Sequence, residues 1–381
     1  MKKIDYLSGR ADVKTILHII DTTGPGGAET VFIDLSTRLP VEKYRNVVVI
    51  RGKGWVYEEL CRRGVEPILL DAKGSFNWRY LLNLIKLIRR KNVALIQSHL
   101  LGASVYSSLA GKLTGVPVVA VFHGEVDIGA KERLKALKMG AINLGASRVV
   151  AVSGGLRDDI VRRTRLKPKK IDVIYNGIDT DTFQHIRSDR LMRQFDWSDD
   201  AVIIGCLGNI RPAKGYDILL KAAARLAPET NVRFVVAGQV DKSGLYEQLL
   251  EQRKTLGLEN IVQFLGFLED PAEYLANLDL FLSTSISEGL PLSAIQAMAA
   301  GVPLLATRCG GYEELVTDRV SGWLVEVGNP EAIAEAICQL NADRGLLGRL
   351  TEAARQHVQT TFDSRVMFSR YQEIYDRLLE K

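Results

Sequence analysis

The sequence predicts an α/β protein of two doubly wound, Rossmann-like domains facing each other across a central cleft. Apolar runs alternate with amphipathic segments along most of the chain, as parallel strands joined by helices do. A length of 381 residues is long for one hydrophobic core and suits two. Near Asn176 the alternation breaks into turn residues and a polar stretch over 187–200, and then it begins again.

The elements follow in order. Strands are expected at 15–20, 46–50, 67–70, 94–98, 118–122, 148–152 and 171–175, where apolar and β-branched residues are bounded by turn formers. Between them, 28–38 and 78–90 carry apolar residues at helical spacing. The second alternation places strands at 202–206, 233–237, 261–265, 280–282 and 303–306, with a short late strand at 322–325. The expected domains are therefore residues 1–182 and residues 183–362, with a terminal helix over 363–381.

Composition narrows the class. Hydrophobic content of 46% and charged content of 25% are globular values. No apolar run approaches the roughly 18 residues of a membrane span, and the first ten residues lack the apolar core of a signal peptide. Cys61, Cys206, Cys309 and Cys338 are scattered, with no redox or metal spacing. The chain reads as cytoplasmic with reduced thiols.

Three places carry chemistry. Gly24-Pro25-Gly26-Gly27-Ala28-Glu29 follows the first strand and opens a helix, so backbone N–H groups there approach an oxygen-rich ligand closely. It is not a dinucleotide fingerprint. Glu29 stands at the third glycine position, and Arg51 stands where an acid would end the second strand. His123 ends an apolar strand before Gly124, at the edge where open α/β sheets hold ligands. Gly208-Asn209-Ile210-Arg211-Pro212-Ala213-Lys214-Gly215 follows another strand and sets two cations three positions apart in a turn, a pattern suited to phosphates. Glu288 lies just before Gly289-Leu290-Pro291-Leu292, where a further helix opens with Pro at its first turn. An acid beside a phosphate site calls for hydroxyls next to the phosphates, which points to a nucleotide sugar. Gly310-Gly311 offers one more close backbone approach.

Together these motifs resemble the donor site of the retaining glycosyltransferases of family 4, the glycosyl transferases group 1, which have the GT-B architecture. Gly26-Gly27-Ala28-Glu29 is similar to the family's N-terminal glycine loop, and Phe122-His123-Gly124 to its central His motif. Asn176-Gly177-Ile178-Asp179 with Phe183 is similar to its interdomain segment. Gly208, Arg211 and Lys214 match its diphosphate loop, and Phe264-Leu265-Gly266 its nucleobase strand. The resemblance covers nearly the whole chain through the order and spacing of these motifs. It implies donor binding by Gly26, Gly27, Gly208, Asn209, Arg211, Lys214, Gly238, Leu265, Glu288, Gly289, Leu290, Leu292 and Gln296. It implies catalytic roles for His123, Glu288, Arg211 and Lys214, with His99 and Glu29 on the acceptor side. One position departs from the pattern: where the family has a second Glu eight residues after the first, this chain has Gln296. Gln still accepts through its amide oxygen but loses the charge-assisted bond to a ribose hydroxyl.

The expected function is transfer of a sugar from a nucleotide-diphosphate sugar to a hydroxyl acceptor, with retention, in cell-envelope polysaccharide, lipopolysaccharide or glycolipid synthesis. No cofactor and no metal are expected, the two cations serving the leaving diphosphate. A nucleotide-sugar epimerase and a catalytically inactive sugar-nucleotide-binding protein are the alternatives. Residues 1–180 hold 30 Lys and Arg against 17 Asp and Glu, a balance of +13. The remainder holds 50 − 30 = 20 against 45 − 17 = 28, a balance of −8. The basic half suggests an anionic membrane or acceptor, through a helix near 131–139 among others, and not nucleic acid, because no aromatic residues interleave with the basic runs. The expected location is cytoplasmic, peripheral on the inner face of the membrane.

Overall fold

The computed structural model describes residues 13–71, 76–129, 134–183, 187–226, 230–240 and 244–380. They form two compact units, one of residues 1–174 and 368–381 and the other of residues 175–367.

Unit 1 holds β1 (Lys14–Ile20), α1 (Gly27–Thr37), β2 (Tyr44–Ile50), α2 (Trp55–Arg62), β3 (Ile68–Leu69), α3 (Trp78–Arg90) and β4 (Val93–His99). It continues through α4 (Leu101–Thr114), β5 (Val118–Phe122), α5 (Glu125–Ile128), α6 (Lys135–Gly145), β6 (Arg148–Ala151), α7 (Gly154–Arg163) and β7 (Ile171–Val173). All seven strands are parallel, in the order β3-β2-β1-β4-β5-β6-β7. Every residue of β5 is fully buried, because a central parallel strand is covered by helices on both faces. That is why it reads as an unbroken apolar run. Local chemistry sets the helix ends. Asn77 caps α3 by accepting from the Tyr80 N–H, and Gly115, in the left-handed conformation, ends α4.

Unit 2 holds α8 (Arg190–Gln194), β8 (Val202–Leu207), α9 (Tyr216–Leu226), β9 (Val232–Ala237), α10 (Leu245–Thr255), β10 (Val262–Gly266), α11 (Pro271–Leu275), β11 (Leu280–Ser283) and α12 (Leu292–Ala299). Then come β12 (Leu304–Thr307), α13 (Tyr312–Leu315), β13 (Trp323–Val325), α14 (Pro330–Ala342) and α15 (Arg344–Thr361). Its sheet is also parallel, in the order β10-β9-β8-β11-β12-β13. Asp270 and Asn329 cap α11 and α14, each followed by Pro at the first helical position, where no N–H is missed.

The last helix, α16 (Ser364–Leu379), begins in unit 2 and ends in unit 1. In unit 1 its Asp376 accepts a hydrogen bond from the Tyr44 hydroxyl at 2.8 Å. The units divide after Ile174 and after Met367, not at 182/183 and 362/363. The cause is a knot of contacts around Asp363. Ile178 N–H donates to Phe362 O, Ser364 N–H donates to Ile178 O, and the Thr180 hydroxyl donates to Asp363 at 2.6 Å. These tie residues 175–183 into unit 2.

One sequence expectation falls partly outside the described residues, the basic helix near 131–139. Its described part starts at Lys135, and Leu134 precedes the helix in the left-handed conformation.

Candidate functional site

In unit 2 the direction of the strand order reverses between β8 and β11. Loops at the carboxyl ends of two such strands splay apart and leave a crevice for ligand. The loop after β8 carries Gly208, Asn209, Arg211 and Lys214, and the loop after β11 carries Glu288. Several hydrogen bonds join them: Ile286 N–H donates to Ala213 O at 2.8 Å, and the Thr284 hydroxyl donates to Lys214 O at 2.9 Å. Gly215 permits this approach. Its φ is +64°, and a Cβ there would lie 2.2 Å from Thr284 O.

The stitching brings Lys214 Nζ to 2.5 Å from Glu288 Oε1, with both side chains largely buried at 22% and 14% exposure. The Ser285 hydroxyl donates to the same oxygen at 2.8 Å. The expected phosphate cation and the expected sugar acid are thus paired with each other. Arg211 starts the turn with an exposed side chain, and its carbonyl accepts from Lys214 N–H at 3.0 Å.

Neighbouring strand ends support the same loop. Gly208 N–H donates to Ala237 O, Ile210 N–H to Gln239 O, and the Asn209 side-chain oxygen accepts from Gln239 N–H. Gly238 lies so close that a Cβ there would sit 1.9 Å from Gly208 O. Leu265 is in β10, one residue before Gly266, whose carbonyl accepts from Gly238 N–H. Gly238→Ala is expected to displace Gly208 and Asn209 and to weaken binding of a nucleoside diphosphate more than it lowers the melting temperature. Calorimetric titration beside thermal unfolding reads both, and unchanged affinity would show the loop to be indifferent to Gly238.

On the other side, Pro291 caps α12 instead of occupying its first turn, so Leu292 is the first helical residue. Leu290 and Leu292 are buried, so their side chains belong to the core of unit 2. Gln296 lies one turn into α12, partly exposed. Gly310-Gly311 has a different place from the one its sequence suggests. Gly311 N–H donates to Glu288 O at 3.1 Å, and Cβ atoms at the two glycines would collide with the carbonyls of Glu288 and Gly289. The pair packs under the Glu288–Gly289 backbone.

In unit 1 the strand order reverses between β1 and β4. Gly26 and Gly27 follow β1 and open α1, whose N-cap receives no side-chain hydrogen bond. Glu29 does not cap this helix; its carboxylate accepts from the Thr22 hydroxyl at 2.6 Å. His99 ends β4 and His123 follows β5. His99 is fully buried, so it does not line an acceptor surface as expected. Its Nδ1 lies 2.9 Å from His123 Nε2, and its Nε2 lies 3.0 Å from Gln97 Nε2. With the Gln97 amide donating, His99 accepts at Nε2 and donates from Nδ1, and His123 accepts at Nε2 and carries its proton on Nδ1. That Nδ1 is buried without a partner among the described residues. The backbone N–H of His123 donates to Asp127 Oδ2 at 2.6 Å.

Burial dominates the electrostatics here. It lowers His18 to about 4 and His123 to about 3, and holds His99 well below the ordinary histidine range. It pushes Asp127 up to about 7. Between about pH 4 and 6.5 the unfolded chain protonates three histidines that the folded unit keeps neutral, so they make stability rise with pH. Asp127 opposes this, because folded Asp127 keeps its proton up to about 7, and the raised Asp21 acts in the same sense. Three histidines outweigh two acids. Unit 1 is expected to be more stable at pH 6.5 than at pH 5, read by hydrogen exchange of the β4 and β5 amides. A fall over that interval would mean that the histidines are charged when folded.

Sequence reasoning missed Ser285, Tyr216, Gln97 and Asp127. Tyr216 donates to Gly208 O at 2.7 Å. Ser285, three residues before Glu288, was findable from spacing alone; the others depend on contacts across strands. Among the described residues no cluster of three His, Cys, Asp or Glu is arranged to hold a metal.

Comparison with known proteins accounts for both halves. The model of the glycosyl transferases group 1 matches residues 188–357, and that of glycosyltransferase family 4 matches residues 25–182. The chain belongs to the family 4 glycosyltransferases. Among its relatives in the family, an N-acetyl-alpha-D-glucosaminyl L-malate synthase of Bacillus anthracis is 29% identical over 75% of each chain. A D-inositol 3-phosphate glycosyltransferase of Salinispora arenicola is 30% identical over 69% of this chain and 64% of its own length, so the match spans less than two thirds of that relative. In fold, the chain resembles HepE of Anabaena, solved with UDP and glucose. The TM-score is 0.85 at 24% identity, covering 96% of this chain and all of that one. A sucrose-phosphate synthase of Thermosynechococcus elongatus gives 0.80 at 18% identity, over 96% of this chain and all of that one. The fold is therefore the α/β GT-B fold, as the motifs of this family 4 chain imply.

Proposed function

We propose that this protein transfers a sugar from a nucleotide-diphosphate sugar to a hydroxyl acceptor, with retention and without a metal ion, in cell-envelope polysaccharide, lipopolysaccharide or glycolipid synthesis. The observation that carries the reading is the Lys214–Glu288 pair at the point where the unit 2 sheet reverses its order. A diphosphate takes the cation and a sugar hydroxyl takes the acid, two groups that a nucleotide sugar joins through its anomeric carbon. Arg211 and Lys214 stabilise the charge that builds on the departing diphosphate, more in the transition state than in the ground state. Backbone amides of Gly289 and Leu292 serve sugar and phosphate, Gln296 the ribose, and Leu265 the base. His123 contacts the transferring sugar through a hydroxyl, held by His99 and Asp127. The acceptor oxygen attacks the anomeric carbon on the face from which the diphosphate leaves, and the leaving phosphate oxygen receives the acceptor's proton.

That HepE was solved with UDP makes UDP the first nucleotide to try. Thermal shifts against UDP, GDP and ADP identify the base, because a ligand of the folded state raises its apparent stability. Release of free sugar from the matching donor then tests turnover. Stabilisation by none of the three would remove the donor site. Gln296 favours one other reading, a nucleotide-sugar binder without turnover. It predicts a thermal shift with no release of sugar under any acceptor.

A further inference from the structure

We propose that the outer face of the α3–α4–α6 layer in unit 1 is a docking surface for an anionic lipid bilayer. The proposal goes beyond the transfer reading and needs nothing from the donor site.

No Asp or Glu occurs between Asp71 and Glu125. The fold places the two helices of that stretch, α3 and α4, on one side together with α6. Right-handed crossovers from β3 to β4, β4 to β5 and β5 to β6 all advance in one direction along the sheet, so α3, α4 and α6 share a face. Helix α3 packs beside α4, and α4 beside α6. The crossovers from β1 to β2 and β2 to β3 advance the opposite way and put α1 and α2 on the other face. The charges divide accordingly. Helix α3 carries Arg79, Lys86, Arg89 and Arg90, α4 carries Lys112, and α6 carries Lys135 and Lys138, without one carboxylate. Helices α1 and α2 carry Glu29, Asp34, Glu58 and Glu59 against Arg62 alone. The acid-free stretch ends at Glu125; Glu125, Asp127 and Glu132 precede α6 in the chain, and acids return at α7, where Asp158 and Asp159 are paired with Arg157 and Arg162.

The same layer exposes apolar groups that a soluble surface does not need. Trp78 is 58% exposed, Leu113 61%, Leu137 70% and Leu144 62%, with Leu82 at 46%. On α3, at about 100° per residue, Trp78, Leu82, Lys86, Arg89, Arg79 and Arg90 all fall within an arc of about 120°. The Arg79 guanidinium stands 5.5 Å from the Trp78 ring centre. An indole and leucines beside cations, with no acid among them, fit the boundary between headgroups and acyl chains. A purely polar polyanion would use the cations and leave the leucines idle.

Full-length protein is tested by co-sedimentation with phosphatidylcholine vesicles, with and without phosphatidylglycerol. Binding is expected only with the anionic lipid, and it should fall as salt shortens the screening length to about 8 Å at physiological strength. The triple variant Arg79→Glu, Lys86→Glu, Arg89→Glu should bind roughly tenfold more weakly or worse. Leu137→Ser with Leu144→Ser should also weaken binding, whereas Arg62→Glu on the opposite face should not. Quenching of tryptophan fluorescence by bromine-labelled lipid reads the unmutated protein, in which Trp78 alone of the four tryptophans is exposed, and does not depend on any variant folding. No binding to anionic vesicles at low salt overturns the proposal. So does retention on heparin or DNA without vesicle binding, or unchanged vesicle binding by both face variants.

Discussion

Lys214→Ala is expected to lower the rate of sugar transfer by on the order of 10²–10³-fold with the fold intact. In the proposed reaction the leaving group is a nucleoside diphosphate, and negative charge grows on it as the bond to sugar breaks. A cation fixed in a partly dry pocket stabilises that charge without having to be reoriented. Lys214 is fixed in this sense: its carbonyl is held by Thr284, its N–H by Arg211, and its ammonium by Glu288. Arg211→Ala should cost less than Lys214→Ala, because the Arg211 side chain is exposed in the ligand-free protein and must be ordered by the donor itself. Single-turnover rates with the matching donor measure both. Near-normal transfer by the Lys214 variant would remove the residue from the chemistry.

Glu288→Gln should separate two quantities that most site mutations lower together. Turnover should fall about 10²-fold or more, because in the proposed reaction the carboxylate accepts from sugar hydroxyls. Affinity for the bare nucleoside diphosphate should hold or increase. The reason is the 2.5 Å pair: in the free protein Glu288 occupies the ammonium that the diphosphate needs. A neutral amide keeps the shape and the Ser285 contact but no longer competes for charge. Calorimetric titration of the diphosphate beside donor turnover distinguishes the cases. Parallel loss of both would make Glu288 a structural residue, and loss of diphosphate affinity alone would put it on the phosphates instead of the sugar.

The strands were legible because parallel strands covered on both faces must be apolar at nearly every position. The run Val118–Phe122 is the clearest case. The phosphate loop was legible because its glycines, proline and cations are consecutive. His99 was not. Its place at a strand end looks the same in sequence whether the imidazole points to a ligand or into the core, and only the packing beneath His123 chooses. Gly310-Gly311 misled for a similar reason: a glycine pair records that some backbone comes close, and in the structure that backbone is the protein's own, at Glu288 and Gly289. The basic layer was half legible. The excess charge was countable, but the segment near 131–139 stood out by its spacing, whereas the topology gathers α3, α4 and α6 on one face.

The sequence by itself determined the α/β class, the two-part division, the family and which residue types stand in each loop. Those features are written in local periodicity and in short consecutive motifs, which survive without any knowledge of distant contacts. Only the tertiary structure decided which of those residues meet. Lys214 and Glu288 are 74 positions apart in the chain and become an ion pair because β8 and β11 are neighbours where the sheet reverses. His99 and His123 become partners because β4 and β5 pair in parallel register. Residue type is local information, whereas proximity across a sheet is fixed by strand order, and strand order is a property of the whole folded chain.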